Sequence, residues 1–456
     1  MKTLTYTSLL GIFCMLAEIL NLRKFIIPIA LVALCVIGGL TYCDLNVHFE
    51  PFFSDMLRVD NFSTSFSLLL IVIAILLIAL SYDFYGTQKA KISDYISIII
   101  FTLCGALALV SFSNMTMFFI GLEVMSISFY ILAGTNKREV RSNEAAMKYF
   151  LMGSFASGIL LMGITLIYGA SGSFNLATIA VYATGQNPDI TFYIGIILVL
   201  VALLFKVSAV PFHFWAPDVY EGSPMLITAL MATLGKVASF AAFYKLFAVC
   251  FVDADSHFKL VIAIVVALTI LVGNLSAIRQ DSFKRMLAFS GVTNAGFMLF
   301  AILLPNENGG SALFFYAVAY ALSSIAAFAI AIAVSKYSGS EKFDAFKGLA
   351  HKHPVAALLL TFAMLSIAGI PPFAGFFAKY FILSSAIKGG YFWLAVFAII
   401  NSVVAFYYYF KVIIMMFSKP EKEDTFSPNF VYIAVASIAV LITIIAGFAP
   451  GIFFIH

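Results

Sequence analysis

From Leu4 to Pro450 the chain is a succession of apolar runs, each near the length that crosses a bilayer, joined by short polar links. A backbone inside hydrocarbon finds no water to bond, so only helices or a closed barrel can span it. Runs of about 20 apolar residues without strict alternation read as helices. Fourteen can be placed, at 4–21, 25–42, 62–82, 94–113, 115–134, 144–169, 190–216, 223–250, 258–278, 283–304, 311–335, 353–387, 390–415 and 429–450. The expected class is an all-α polytopic membrane protein. Composition agrees: 63% of the 456 residues are hydrophobic, 11% are charged and the mean hydropathy is +1.05, which excludes an ordinary soluble enzyme. No A-x-A-like cleavage site follows the first run, so it is expected to remain as a span.

The basic residues orient these spans. With the N-terminus outside, the inward links hold Arg23, Lys24, Lys89, Lys91, Lys137, Arg138, Arg141, Arg279, Lys284, Arg285, Lys336, Lys342, Lys347, Lys352, Lys411, Lys419 and Lys422, which is 17 of the 26 basic residues. Only Lys2, Arg58, Lys259 and Lys388 fall outside. The positive-inside rule then expects both termini on the outer, periplasmic side of a bacterial plasma membrane. The net charge of +4 belongs to a membrane protein whose environment is lipid, and no nucleic-acid partner is expected. Five scattered cysteines and six histidines make no metal-ligand spacing, so no metal or bound cofactor is expected in this chain.

An internal repeat is legible. Residues 120–132, "IGLEVMSISFYIL", lie over 287–299, "LAFSGVTNAGFML", at an offset of 167 that also pairs Tyr149 with Tyr316 and Ser157 with Ser324. Two later spans are broken at proline, "FKVSAVPFHFW" and "LSIAGIPPFAGFF", with Pro211 over Pro371 at an offset of 160. Paired elements lie five spans apart, and an odd number inverts the second unit relative to the first, as in many transporters. The expected organisation is three spans over 1–82, a first repeat over 94–250, an inverted second repeat over 258–415, and a final span within 429–456.

Five lysines, Lys148, Lys206, Lys236, Lys245 and Lys379, sit inside apolar runs, and Glu123 lies mid-span. A charge at a helix centre costs about 2.5–3.5 kcal/mol on insertion scales, so Glu123, Lys206, Lys236 and Lys379 together would cost on the order of 10 kcal/mol if unpaired and charged. They are expected to face the bundle interior. Pro211 lacks an amide donor and displaces the carbonyl of Val207, beside Lys206, and Pro371 does the same to Ile367. Freed carbonyls at this depth point to internal water. One reading is a row of groups exchanging protons through water; the plain alternative is a set of salt bridges clamping helices. Glu144 and Lys148 are also explained by an i,i+4 pair, and His213 by a proton shuttle or a hydrogen-bonded histidine. Glu18 reads as a packing contact, Lys245 as a snorkelling anchor, Tyr407, Tyr408 and Tyr409 as an interfacial belt, and Asp218 as a local cap.

"FKVSAVPFHFWAPDVYEGSP" and "EAAMKYFLMGSFASGILLMGITLIYG" resemble the antiporter-like proton-pumping subunits of respiratory complex I, NADH:quinone oxidoreductase, and the related Mrp-type cation/proton antiporters, along essentially the whole chain. The resemblance implies a fourteen-helix core, two inverted five-helix repeats and discontinuous seventh and twelfth helices. Glu123 resembles the fifth-helix glutamate, Lys206 its seventh-helix lysine partner, Lys236 the eighth-helix lysine and Lys379 the twelfth-helix lysine; Glu144, Lys148 and His213 also fall on motif positions. Lys379, where one sister subunit has glutamate, and an end at His456 without a lateral helix set the chain apart from two sisters. Asn294 stands where relatives carry a tenth-helix histidine. Partners implied are other membrane-arm subunits, including sister antiporter-like subunits, with NADH, FMN, iron-sulfur clusters and quinone held elsewhere in the complex. An Mrp-type antiporter subunit and a non-pumping scaffold are the alternatives.

Overall fold

The computed structural model describes residues 2–20, 22–47, 55–85, 92–185, 188–251, 256–303, 309–420 and 426–454. Lys89, Lys91, Lys422 and the two chain ends, used above for orientation, lie outside the described residues. Among the described residues the architecture is helical, with no strand beyond three isolated bridges. Its helices are α1 (Lys2–Leu16), α2 (Ile26–Cys43), α3 (Asn61–Phe84), α4 (Ile92–Ser111), α5 (Met115–Ala133), α6 (Val140–Ser171), the short α7 (Leu176–Ala183), α8 (Ile190–Lys206), α9 (Trp215–Gly222) and α10 (Met225–Leu230). They continue with α11 (Lys236–Lys245), α12 (Ser256–Ile278), α13 (Phe283–Leu303), α14 (Gly309–Ser338), the one-turn α15 (Leu349–Lys352), α16 (Pro354–Ala368), α17 (Ala374–Lys388), α18 (Phe392–Phe417) and α19 (Phe430–Phe448). A π turn over Met231–Gly235 joins α10 and α11 into one span, Met225–Lys245.

Eleven of these spans are long and apolar enough to cross a membrane, and α1, α8 and α16 are shorter apolar helices. Their ends follow local chemistry. Asp60 accepts from Ser63 N at 2.7 Å while Ser63 Oγ accepts from Asp60 N at 2.8 Å, a reciprocal cap on α3. Asn114 caps α5 and Asn175 caps α7. Gly172 (φ 69°) ends α6 in the left-handed conformation. Glycines let neighbours approach closely where lipid supplies no driving force for association. A Cβ on Gly105 would stand 2.5 Å from the Met125 amide where α4 crosses α5, and one on Gly163 would stand 2.9 Å from Gly195 O where α6 crosses α8.

Burial sorts the helices into a centre and a rim. The Met225–Lys245 span, α13 and α14 are buried along their apolar windows, whereas α2, α6 and α18 bury a minority of theirs and turn large apolar side chains outward. The structure departs from expectation at two ends of spans. α1 stops at Leu16, so Glu18 lies beyond it, paired with Arg23 and accepting from Ser93 Oγ at 2.7 Å. The Ser93 bond, with Arg23 adding to it, holds the Glu18 carboxyl below the usual carboxylate range. Lys284, assigned to an inward link, is instead buried in the first turn of α13 because its alkyl stem packs inside while its amine meets Ser223 O at 2.5 Å, Glu221 O at 3.1 Å and Glu341 Oε1 at 3.2 Å.

Candidate functional site

Both proline motifs interrupt spans as expected. The first break separates α8 from α9, and the second separates α16 from α17. Within them Ser208 (φ 61°) and Gly369 (φ 87°) hold the left-handed conformation, each three residues before a proline, Pro211 in one case and Pro372 in the other. In the second break the proline at that spacing is Pro372, one residue beyond the expected Pro371. The first break is held from two sides. Trp215 Nε1 donates to Phe205 O at 2.9 Å, and Val210 N donates to Thr269 Oγ1 on α12 at 3.0 Å.

Lys206 is the last residue of α8, where terminal carbonyls lack helical donors and the helix dipole favours a cation. Its buried amine donates to Ser126 Oγ at 2.9 Å and to Tyr130 Oη at 3.4 Å, both on α5, and lies 5.9 Å from the Tyr130 ring centre. Glu123 sits one turn before Ser126 on the same helix, half-buried, and accepts a short hydrogen bond from Ser157 Oγ of α6. Among the described residues Glu123 and Lys206 make no ion pair within 4.0 Å.

Lys236 follows the π turn at the bundle centre; single π turns recur at functional positions. Its amine donates to Gly291 O on α13 at 2.7 Å and lies 5.9 Å from the Tyr320 ring of α14. Lys379, on α17, reaches back across the second break to Ala368 O at 2.6 Å and over the Phe297 ring of α13 at 5.0 Å. The carbonyl it satisfies is four residues before Pro372, one beyond the Ile367 expected from Pro371. The lysines of the two broken elements lie over the rings of Tyr130 and Phe297, which are 167 residues apart.

None of Lys206, Lys236 and Lys379 joins an ion pair among the described residues. Each is held by neutral oxygens and a ring face.

Glu144 and Lys148 pair at 2.8 Å, and Lys148 also reaches Asp218 at 3.3 Å. Asp218, expected to act locally, bridges to Arg285 of α13 at 3.2 Å, while Arg285 also pairs with Glu221, so α6, α9 and α13 share one charge cluster at one end of the bundle. Beside it opens a cavity of about 380 Å³ lined by Glu139, Arg141, Glu221, Lys284 and Glu341. His213, after the first break, is buried, with Nδ1 lacking a hydrogen-bond partner among the described residues and its ring 4.2 Å from that of Phe214.

Two further expectations are overturned. Lys245 does not snorkel: it is 7% exposed, packed 5.4 Å from the Phe112 ring, and its amine has no hydrogen-bond partner among the described residues. The tyrosine run is not a uniform belt. Tyr407 is 61% exposed, but Tyr408 and Tyr409 are buried, because successive helical residues turn by about 100° and only one of the three can face lipid squarely. Tyr408 Oη donates to Asn274 Oδ1 at 2.9 Å, and Tyr409 Oη bonds Ser290 Oγ at 2.5 Å. Their partners Asn274, Ser290 and Asn294 are polar residues in apolar helices, and that was the signal available in the sequence. Among the described residues no group of three or more His, Cys, Asp or Glu could hold a metal ion.

A polytopic helical bundle with two broken spans and buried lysines outside ion pairs has the organisation of a membrane transporter. A model of the family "NADH:quinone oxidoreductase/Mrp antiporter, TM" matches residues 113–405. The chain is 47% identical to NADH-quinone oxidoreductase subunit N of Flavobacterium psychrophilum, over 99% of each chain, and belongs to that family. Its fold matches a chain in respiratory complex I from Thermus thermophilus with a TM-score of 0.85 and 31% identity, covering 98% and 97% of the two chains. A chain in the Mrp complex from Dietzia sp. DQ12-45-1b shares the fold, with a TM-score of 0.87 at 22% identity over 99% of this chain and 94% of that one.

Proposed function

We propose that this chain is the proton-translocating membrane-arm subunit of a type I NADH:quinone oxidoreductase, moving H⁺ through Glu123, Lys206, Lys236 and Lys379 and intervening water. Glu144, Lys148 and His213 belong to the same pathway. Electron transfer from NADH through flavin and iron-sulfur centres to quinone takes place in partner subunits, and this chain holds no redox centre. The free energy reaches the lysine row as a change in its electrostatics, passed along neighbouring antiporter-like subunits.

The observation that carries this reading is that, among the described residues, none of the buried Lys206, Lys236 and Lys379 forms an ion pair within 4.0 Å. Amines held by neutral oxygens lose a proton without breaking an ion pair, as a relay requires; a scaffold gains nothing from the expense of burying them. We read the architecture as fourteen spans with both termini outside, three at the start, two inverted five-span repeats over 94–250 and 258–415, and one at the end. The paired breaks and paired lysine-over-ring contacts support the repeats.

A cation/proton antiporter is the competing reading, because the matched family description covers Mrp antiporters as well. The test is proton and sodium flux in sealed vesicles holding the intact complex during NADH oxidation. Proton uptake that vanishes in Glu123→Gln and Lys206→Ala, without sodium counter-flux, supports the proposal. Obligate sodium movement against H⁺ would replace it with antiport.

A further inference from the structure

Gly291, Asn294 and Phe297 follow one another at intervals of three on α13. The first carries Lys236 on its carbonyl and the last carries Lys379 over its ring, so six residues, about 9 Å of helix, separate the two attachment points. Asn294 stands midway. Its Nδ2 donates to Ser290 O at 2.8 Å and its Oδ1 accepts from Tyr316 Oη at 2.8 Å, which leaves both ends of the amide committed. An amide takes up no proton near neutral pH, so a path through this residue stops there.

A second group at the same level has the missing property. Ser290 Oγ and Tyr409 Oη of α18 lie 2.5 Å apart, both buried, and either oxygen can be the donor. Each hydroxyl has one proton to give and lone pairs to accept another, which is what a proton passed along a hydrogen bond needs. Asn294 Nδ2 also points at Ser290 Oγ, 3.5 Å away, and Tyr408 beside Tyr409 is fixed on Asn274. Ser290 is moreover the residue paired with Glu123 by the repeat offset of 167, so a hydroxyl pair occupies the place where the first half has its carboxylate.

We infer that the Ser290–Tyr409 hydroxyl pair carries the proton past Asn294 between Lys236 and Lys379, with Asn294 as a positioning residue. The inference rests on the proton-relay reading above. In one passage the Lys236 ammonium gives up one proton and becomes the neutral amine. The hydroxyl pair accepts it on one oxygen and releases a proton from the other. The Lys379 amine takes up that proton, so the pair is unchanged after each transfer.

The test uses the intact complex in sealed vesicles, recording NADH:quinone turnover, proton uptake, the solvent deuterium isotope effect and the pH profile. Variants are Tyr409→Phe, Ser290→Ala, Tyr409→Phe combined with Asn294→His, Lys236→Ala, and Tyr407→Phe on the outward face as a control. Tyr409→Phe and Ser290→Ala are expected to slow proton uptake by on the order of 10- to 100-fold. Adding Asn294→His to Tyr409→Phe is expected to restore uptake with a new inflection near the imidazole range, about pH 6.5. Tyr407→Phe stays at the wild-type rate. If Lys236→Ala abolishes uptake while Tyr409→Phe and Ser290→Ala pump normally with unchanged isotope effect, the hydroxyl path is wrong and the relay stands. A dead Tyr409→Phe that histidine fails to rescue marks a packing role and also overturns the inference. If Lys236→Ala pumps normally, the relay reading itself falls.

Discussion

Lys236 hangs from the main-chain oxygen of Gly291 at 2.7 Å, where the absence of a side chain leaves room for its amine. A Cβ there would stand 3.1 Å from the Lys236 amine and 3.0 Å from the Tyr320 hydroxyl, tighter than most side-chain contacts. Gly291→Ala therefore makes both side-chain ends give way by a few tenths of an ångström. The expected result is an assembled complex whose proton uptake falls severalfold; unchanged pumping with a tolerated methyl would show that this contact does not set the lysine's position.

Ser126 and Tyr130 both accept from Lys206, at 2.9 and 3.4 Å. Removing one leaves the other, so Ser126→Ala and Tyr130→Phe are each expected to lower stability by about 1 kcal/mol, and the double variant by more than their sum. Thermal unfolding of the detergent-solubilised complex measures the cycle. Strict additivity would mean that the two hydroxyls do not share the amine.

Lys245 places an amine against Phe112 with no hydrogen bond among the described residues. A buried polar group without a partner is a net loss, so Lys245→Met is expected to leave the melting temperature equal or higher, with a gain of about 1–3 kcal/mol at most. A lowered melting temperature or lost pumping would give this lysine a task that its static contacts do not reveal.

Lys284 stands on the opposite side of that rule. Its amine meets Ser223 O, Glu221 O and Glu341 Oε1, all within 3.2 Å. Lys284→Met strands these acceptors and is expected to cost about 1–3 kcal/mol. By contrast, Asp218→Asn, in a cluster that is around two-fifths exposed, is expected to change stability by less than about 1 kcal/mol and to do so only at low salt. Equal effects from the two substitutions would contradict this division between buried and screened charge.

Much of the molecule is legible from apolar run length, because in hydrocarbon a span of that length has one helical solution. The two broken spans are legible too, since proline removes a donor wherever it falls, although Gly369 shows that the turn is counted from Pro372 rather than Pro371. What periodicity hides is which way a polar side chain turns once helices pack. Lys206, Lys236 and Lys379 could each have met a carboxylate on a neighbouring helix, and only the packed bundle gives them Ser126, Gly291 and Ala368. Tyr408 and Tyr409 were lost for the same reason. A tyrosine at a membrane surface and one in a hydrogen-bonded interior are the same letter, and Asn274 and Ser290, which tell them apart, lie 134 and 119 residues away.

The most direct measurement pairs Lys206→Ala with Lys236→Ala in the intact complex, recording NADH:quinone turnover and proton uptake in sealed vesicles, with assembly checked by native gel. Each substitution is expected to leave an assembled complex with uptake and turnover suppressed together, as a relay coupled to electron transfer requires. Normal turnover with normal uptake in both variants would contradict it and leave the buried lysines as parts of a scaffold.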